Sequence, residues 1–131
     1  MAQDLFEAAR AAMAKSHSPY SKFPVGAAIR AADGRIFSGC NIENVAFPEG
    51  WCAETTAISH MIMGGAREIV EVAVLAEKLA LCAPCGGCRQ KLAEFASPQT
   101  RVWLCDAEGP KRALTMAELL PAVFGTDSLG T

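Results

Sequence analysis

Two cysteine clusters govern what this chain can fold into: Cys52-Ala53-Glu54, and Pro84-Cys85-Gly86-Gly87-Cys88. Together they offer three thiolates to one metal ion, so the fold must bring two distant segments to a single point. Three protein ligands leave zinc a fourth position open to water, whereas a structural zinc site is normally closed by four. Glu54 need not be a ligand. Two residues from a thiolate, its carboxylate can move protons to and from that position.

The remaining composition narrows the class. A chain of 131 residues, 51% hydrophobic and 20% charged, reads as one soluble domain spanning 1–131 with one sizeable core. The net charge of -2 and the lack of a basic block argue against a nucleic-acid footprint. No apolar run is long enough to cross a bilayer. The start, Met1-Ala2-Gln3-Asp4-Leu5, lacks the basic and apolar stretches of a secretion signal. Six cysteines then favour a metal site in a reducing cytoplasm over a disulfide scaffold.

Hydrophobic periodicity predicts the elements. Leu5 to Lys15 reads as an amphipathic helix with Phe6, Ala9 and Met13 on one stripe. Val25 to Arg30 reads as a buried strand, Asp33-Gly34 as a hairpin turn, and Arg35 to Asn41 as the returning strand. Glu43 to Trp51 is a loop. From Cys52 the period becomes helical, with Glu54, Ile58, Met61 and Ile62 sharing a face until Gly64-Gly65. Ile69 to Ala76 is a strand. A helix follows the Cys82–Gly87 turn, with Cys85, Cys88, Leu92 and Phe95 along one side. Thr100 to Cys105 is a strand, and Glu108-Gly109-Pro110 a turn. Thr115 with Glu118 resembles a capping box for a short last helix closed by Pro121. Residues 126–131 are expected to fray. The order is helix, hairpin, helix, strand, helix, strand, helix, which predicts an α/β domain with one mixed sheet.

Both clusters fall where a helix begins. Helix N-termini carry partial positive charge and unpaired N–H groups that stabilise thiolates. Gly86 and Gly87 are expected to let the backbone approach the metal closely. Glu54 shares its stripe with Ile58 and Met61, so it faces the core, and burial raises a carboxyl pKa. Two alternatives stay open on the residues alone. Cys82-x-x-Cys85-x-x-Cys88 has an iron–sulfur rhythm but lacks the following fourth cysteine. A closed zinc site could recruit Cys40, Cys82 or Cys105, but would leave Cys-Ala-Glu unexplained. Cys40 and Cys105 also suit the core. His17 and His60 read as solvated or hydrogen-bonded, since no HExxH-type spacing supports ligation. Trp51 either shields a pocket or packs beneath its loop.

The two clusters, extended to Arg89-Gln90, resemble the small homotetrameric zinc-dependent cytidine deaminases. Tyr20 to Ala28 resembles that family's first strand and its approach. Gly39-Cys40-Asn41-Ile42-Glu43-Asn44 resembles its nucleoside-binding strand end, and Leu119-Leu120-Pro121 with Phe124-Gly125 its C-terminal end. The resemblance implies a three-layer α-β-α fold around a central mixed sheet. It implies one zinc per subunit on Cys52, Cys85 and Cys88, with Glu54 as proton shuttle. Asn41 and Glu43 would bind ribose hydroxyls, Phe23 would pack on the pyrimidine, and Ala53 belongs to the substrate-binding set. Phe47 and Phe124 would line a neighbouring subunit's pocket. The implied reaction is hydrolytic deamination of cytidine or deoxycytidine with release of ammonia, in pyrimidine salvage. A nucleic acid or a membrane is not an implied partner.

One position departs from the family's pattern. The arginine common after Cys-Ala-Glu is replaced by Thr55, although three thiolates on Zn²⁺ leave a net charge of about -1 by ligand counting. The two helix N-termini, Arg89 and the Thr55 hydroxyl are expected to share its compensation. Rival functions are a deaminase of another aminopyrimidine, such as blasticidin S, and a non-catalytic zinc-stabilised interaction module.

Overall fold

The computed structural model describes residues 2–130; Met1 and Thr131, the ends of the expected domain and tail, lie outside the described residues. The described chain forms α1 (Gln3–Met13), β1 (Val25–Ala31), β2 (Ile36–Cys40), α2 (Ala53–Met63), β3 (Ile69–Ala76), α3 (Gly86–Phe95), β4 (Ala96–Asp106), β5 (Gly109–Thr115) and α4 (Met116–Leu119). The five strands lie in the order β2-β1-β3-β4-β5. β1 pairs antiparallel with β2 and β3, β3 pairs parallel with β4, and β4 pairs antiparallel with β5, so the sheet is mixed.

Helices cover both faces, giving the expected three layers. On one face α1 buries Leu5, Phe6 and Ala9 against Ala28, Ala73, Leu75 and Cys105. On the other, α2, α3 and α4 pack Ala57, Met61, Leu92 and Leu119 onto Ala27, Ile29, Val72, Val74, Val102 and Leu104. β3 lies at the centre of the sheet with both faces covered, which is why it reads as an almost unbroken apolar run.

Two glycines let the helices approach the first hairpin. A Cβ at Gly26 would lie 2.0 Å from the Ala9 carbonyl oxygen of α1, and one at Gly39 would lie 2.4 Å from the Ala57 nitrogen of α2. One glycine thus admits a helix on each face of the sheet.

The structure adds a strand to the expected order. β5 occupies residues read from sequence as a turn and an unassigned stretch. The reversal comes earlier, at Ala107–Glu108, where the Asp106 carboxylate accepts from the Glu108 N–H at 2.8 Å. β5 lies at the sheet edge, opens with Gly109-Pro110 and exposes Lys111 and Arg112. Proline and charge are what an edge strand tolerates, and they hide its strand character. β4 also begins four residues earlier than expected, directly after α3. The last helix carries the anticipated capping box: Thr115 Oγ1 accepts from Glu118 N, and the Glu118 carboxylate accepts from Thr115 N. Within the expected tail, Thr126–Leu129 form a 3₁₀ turn.

Candidate active site

Cys52 and Cys85 occupy equivalent positions. Each is the N-cap residue of its helix, with extended backbone, and neither α2 nor α3 has a side-chain cap. A cysteine thus holds each capping position where a serine or aspartate would ordinarily satisfy the first-turn N–H groups. Cys88 follows in the first turn of α3 and is buried. The sulfurs of Cys52, Cys85 and Cys88 all lie within 4.8 Å of one another, and those of Cys52 and Cys85 are 3.9 Å apart. A tetrahedral zinc with Zn–S bonds near 2.3 Å requires sulfurs about 3.8 Å apart, so the donor set fits the ion in kind and spacing. Cys40, Cys82 and Cys105 are outside this group, and all six cysteines are free thiols. Hydrogen bonds from Cys88 and then Cys85 hold the Cys52 thiol down at about 6, while that shared proton pushes Cys88 upward.

Glu54 lies in the first turn of α2, only 4% exposed, along the inner stripe with Ile58 and Met61. Loss of solvent pushes its carboxyl up to about 7. It lines a pocket of about 170 Å³ with Asn41, Cys52, Ala53, Cys82 and Cys85. The pocket floor comes from Val25 at the start of β1 and Val74 near the end of β3. Thr56 Oγ1 ties α2 to β2 by donating to the Cys40 carbonyl at 2.9 Å.

The remaining residues divide. Asn41 enters the pocket, but much of its amide is committed. Its Nδ2 donates to the Phe23 carbonyl at 2.8 Å, and its Oδ1 accepts from Val25 N at 2.9 Å and from the Ser16 hydroxyl. An amide with those bonds keeps one N–H for a ligand. Glu43 accepts from Tyr20 N at 2.9 Å, Ser21 N at 3.1 Å and the Ser21 hydroxyl, which lower its pKa and leave part of its acceptor capacity free. It lines a second recess of about 340 Å³ with Tyr20, Ser21, Asn44, Phe47 and Gly50. Ile42, between them, exchanges two backbone bonds with Trp51, while His17 binds Asn41 and Glu43 through its backbone. The Asn41–Glu43 segment is thus clamped in extended form.

Phe23 and Phe124 line neither recess. Phe23 is half-buried and is joined to the site through its carbonyl, while Phe124 is exposed and accepts from Gln90 at 2.8 Å. Phe47 is exposed, with its ring centroid 5.8 Å from that of Tyr20. His60 donates from Nδ1 to the Ser38 carbonyl at 2.6 Å, as a hydrogen-bonded histidine should. Cys105 is fully buried, with its thiol pushed up to about 11 by lost solvent. A Cβ at Gly86 or Gly87 would meet nothing within 4 Å, so within this chain those glycines answer no steric demand.

Around the sulfurs, Arg89 does not behave as expected. Its guanidinium donates to the Pro84 carbonyl at 2.8 Å and the Leu119 carbonyl at 2.9 Å, bracing the segment before Cys85 against α4. Thr55 Oγ1 is 3.9 Å from Cys88 Sγ, and it accepts from Lys91 Nζ at 3.0 Å. Lys91 was not singled out by sequence. The available signal was its spacing: three residues after Cys88, as Thr55 is three after Cys52, so each stands one helical turn behind a cysteine.

Comparison with known proteins agrees with this geometry. Residues 1–104 match the family model for the cytidine and deoxycytidylate deaminase zinc-binding region. A cytidine deaminase of Sporosarcina psychrophila is 41% identical over 127 residues, covering 97% of this chain and 93% of that protein. One from Mycobacterium tuberculosis is 35% identical over 118 residues, covering 90% and 85%. The crystal structure of cytidine deaminase from Burkholderia pseudomallei superposes with a TM-score of 0.88 at 40% identity, over 95% of this chain and 99% of that one. With the family model matching most of the chain and relatives matching along nearly its whole length, this chain belongs to the zinc-binding cytidine and deoxycytidylate deaminase family.

Proposed function

We propose that this chain is a cytidine deaminase, converting cytidine and deoxycytidine to uridine and deoxyuridine with release of ammonia. The observation that carries the reading is one pocket presenting two cysteine sulfurs of the three-thiol cluster and a buried carboxyl. Cys52, Cys85 and Cys88 would hold zinc, which when bound supplies Lewis acidity and an activated water.

Glu54 takes a proton from the attacking water and delivers it to N3 of the pyrimidine as the oxygen adds at C4. It then carries the remaining proton of the added hydroxyl to the amine, the C4–N bond breaks as the C4 carbonyl forms, and ammonia leaves. A carboxyl poised near neutrality by burial suits a group that both accepts and donates. The remaining Asn41 N–H and the free acceptor capacity of Glu43 suit the two roles a sugar hydroxyl can take. Ala53 lines the pocket beside Glu54. Phe23, held beside the site by its carbonyl bond from Asn41, would pack on the pyrimidine face as the family resemblance implies.

Residues 1–131 form one domain in this reading, since a single sheet joins both core clusters. A homotetramer with shared pockets is favoured by the exposed Val45, Phe47, Val123 and Phe124. Six free thiols favour a reducing cytoplasm, where the activity would serve pyrimidine salvage. No helix among the described residues is long and apolar enough to cross a membrane.

The test is purified protein with cytidine, followed by ultraviolet absorbance and ammonia release, before and after zinc chelation. Turnover should vanish with the metal and return with zinc. Zinc-loaded protein that leaves cytidine intact refutes the assignment, and turnover of another aminopyrimidine in a substrate panel redirects it.

A further inference from the structure

A cluster of three thiolates around a divalent ion retains about one negative charge by ligand counting, and that charge requires a partner in a partly buried site. Arg89 is committed to two backbone carbonyls. A cation linked to the cluster through the Thr55 hydroxyl comes from further along the same helix. Lys91 lies one turn past Cys88, and its Nζ reaches across to Thr55 on α2 at 3.0 Å. Thr55 is 6% exposed, and its hydroxyl oxygen is 3.9 Å from Cys88 Sγ.

The chemistry of this chain of contacts has one direction. An ammonium group only donates, so Thr55 Oγ1 must accept from Lys91. The Thr55 hydroxyl hydrogen is then free for the Cys88 sulfur. A neighbouring positive charge polarises that hydroxyl and strengthens its donation. Trp51 holds the ammonium from a second side, with Nζ 5.4 Å from the ring centroid. Trp51 directly precedes Cys52, so the lysine is anchored to both cysteine-bearing segments.

We propose that Lys91 is a positioning residue that sets a positive charge beside the three sulfurs through Thr55 and Trp51, strengthening the cluster's hold on zinc. This rests on the zinc part of the reading above, and not on the identity of the nucleoside.

The test separates charge from tethering. Lys91→Gln keeps an N–H donor for Thr55 and loses the charge, whereas Lys91→Arg keeps the charge. Zinc affinity is read by chelator competition. The sulfur-to-metal charge-transfer band is read on cobalt-substituted protein, with thermal melting confirming the fold. Lys91→Gln should weaken zinc retention about 10- to 100-fold, the range for groups that support metal ligands, with Lys91→Arg within about threefold of the parent. The cobalt band should move to longer wavelength in Lys91→Gln, since sulfur electrons without a nearby cation are more easily transferred, and return in Lys91→Arg. A folded Lys91→Gln protein with parental zinc affinity and an unmoved band overturns the proposal while leaving the deaminase reading intact. Parent protein that binds zinc but spares cytidine overturns the substrate reading alone. Parent protein that binds no zinc overturns both.

Discussion

Gly39→Ala is the substitution that most directly tests how the fold builds the site. Gly39 has no positive φ, so alanine adds no backbone strain and its effect is steric. Its Cβ would sit 2.4 Å from Ala57 N and 2.7 Å from Ala53 O, both backbone atoms of α2. Backbone atoms cannot rotate away, and ordinary contact begins at 3.4 Å, so α2 must retreat by about 1 Å. Overpacking of this kind costs about 1–3 kcal/mol. The first turn of α2 carries Cys52, Ala53 and Glu54, and a 1 Å misplacement of catalytic groups can cost about 10²-fold in rate. Gly39→Ala should therefore lose about two orders of magnitude in kcat/KM and melt earlier. Gly26→Ala is the control. Its Cβ would meet the Ala9 carbonyl at 2.0 Å, displacing α1 on the opposite face. It should destabilise at least as much, yet keep zinc content and turnover per folded molecule. The measurements are melting temperature, bound zinc per chain and steady-state kinetics below each melting point. A Gly39→Ala protein with parental turnover, or equal losses of turnover in the two folded variants, would show that this close approach does not position the site.

Other expectations follow from single contacts. Glu54→Gln should retain zinc, since Glu54 is no ligand, and lose about 10²–10⁴-fold in turnover, the contribution of a positioned acid–base group; near-parental kcat would reject the shuttle. Arg89→Ala leaves the Pro84 and Leu119 carbonyls without their donor, at a cost of about 1–3 kcal/mol in denaturant melts. It should also lower zinc retention by loosening the segment that carries Cys85. Unchanged stability and metal content would remove Arg89 from the site.

The parts of this molecule legible from its sequence are those encoded within a few residues. Cysteine spacing at two helix starts announces a three-sulfur cluster, and the Glu54–Ile58–Met61 stripe announces a buried carboxyl. Helical periodicity pairs Cys85 with Cys88 and turns Glu54 inward, whereas the arrival of Cys52 beside them is the work of the fold. The capping box of α4 is equally local. The strand β5 was hidden because Pro110, Lys111 and Arg112 mask an element that is half-paired and solvent-facing. The commitment of Asn41 to Phe23, Val25 and Ser16 depends on segments brought together only by the fold. For the same reason a strand glycine such as Gly39 reads ambiguously until the helix above it is known. Arg89 is expected to share the charge compensation with the helix N-termini and Thr55, but only the fold shows its guanidinium on the Pro84 and Leu119 carbonyls and Lys91 on the Thr55 hydroxyl.

The three sulfurs come from both sides of a long excursion of the chain: Cys52 and Cys85 are 33 positions apart, with the whole of α2 and β3 between them. An ion gripping both therefore acts as a clasp on that loop. By chain-entropy reasoning, a cross-link over such a span disfavours the unfolded ensemble by about 3–4 kcal/mol. That is a sizeable share of the stability of a small protein. Metal supply would then govern how long the molecule survives in the cell, and a chain starved of its ion would be easier prey for proteases as well as idle.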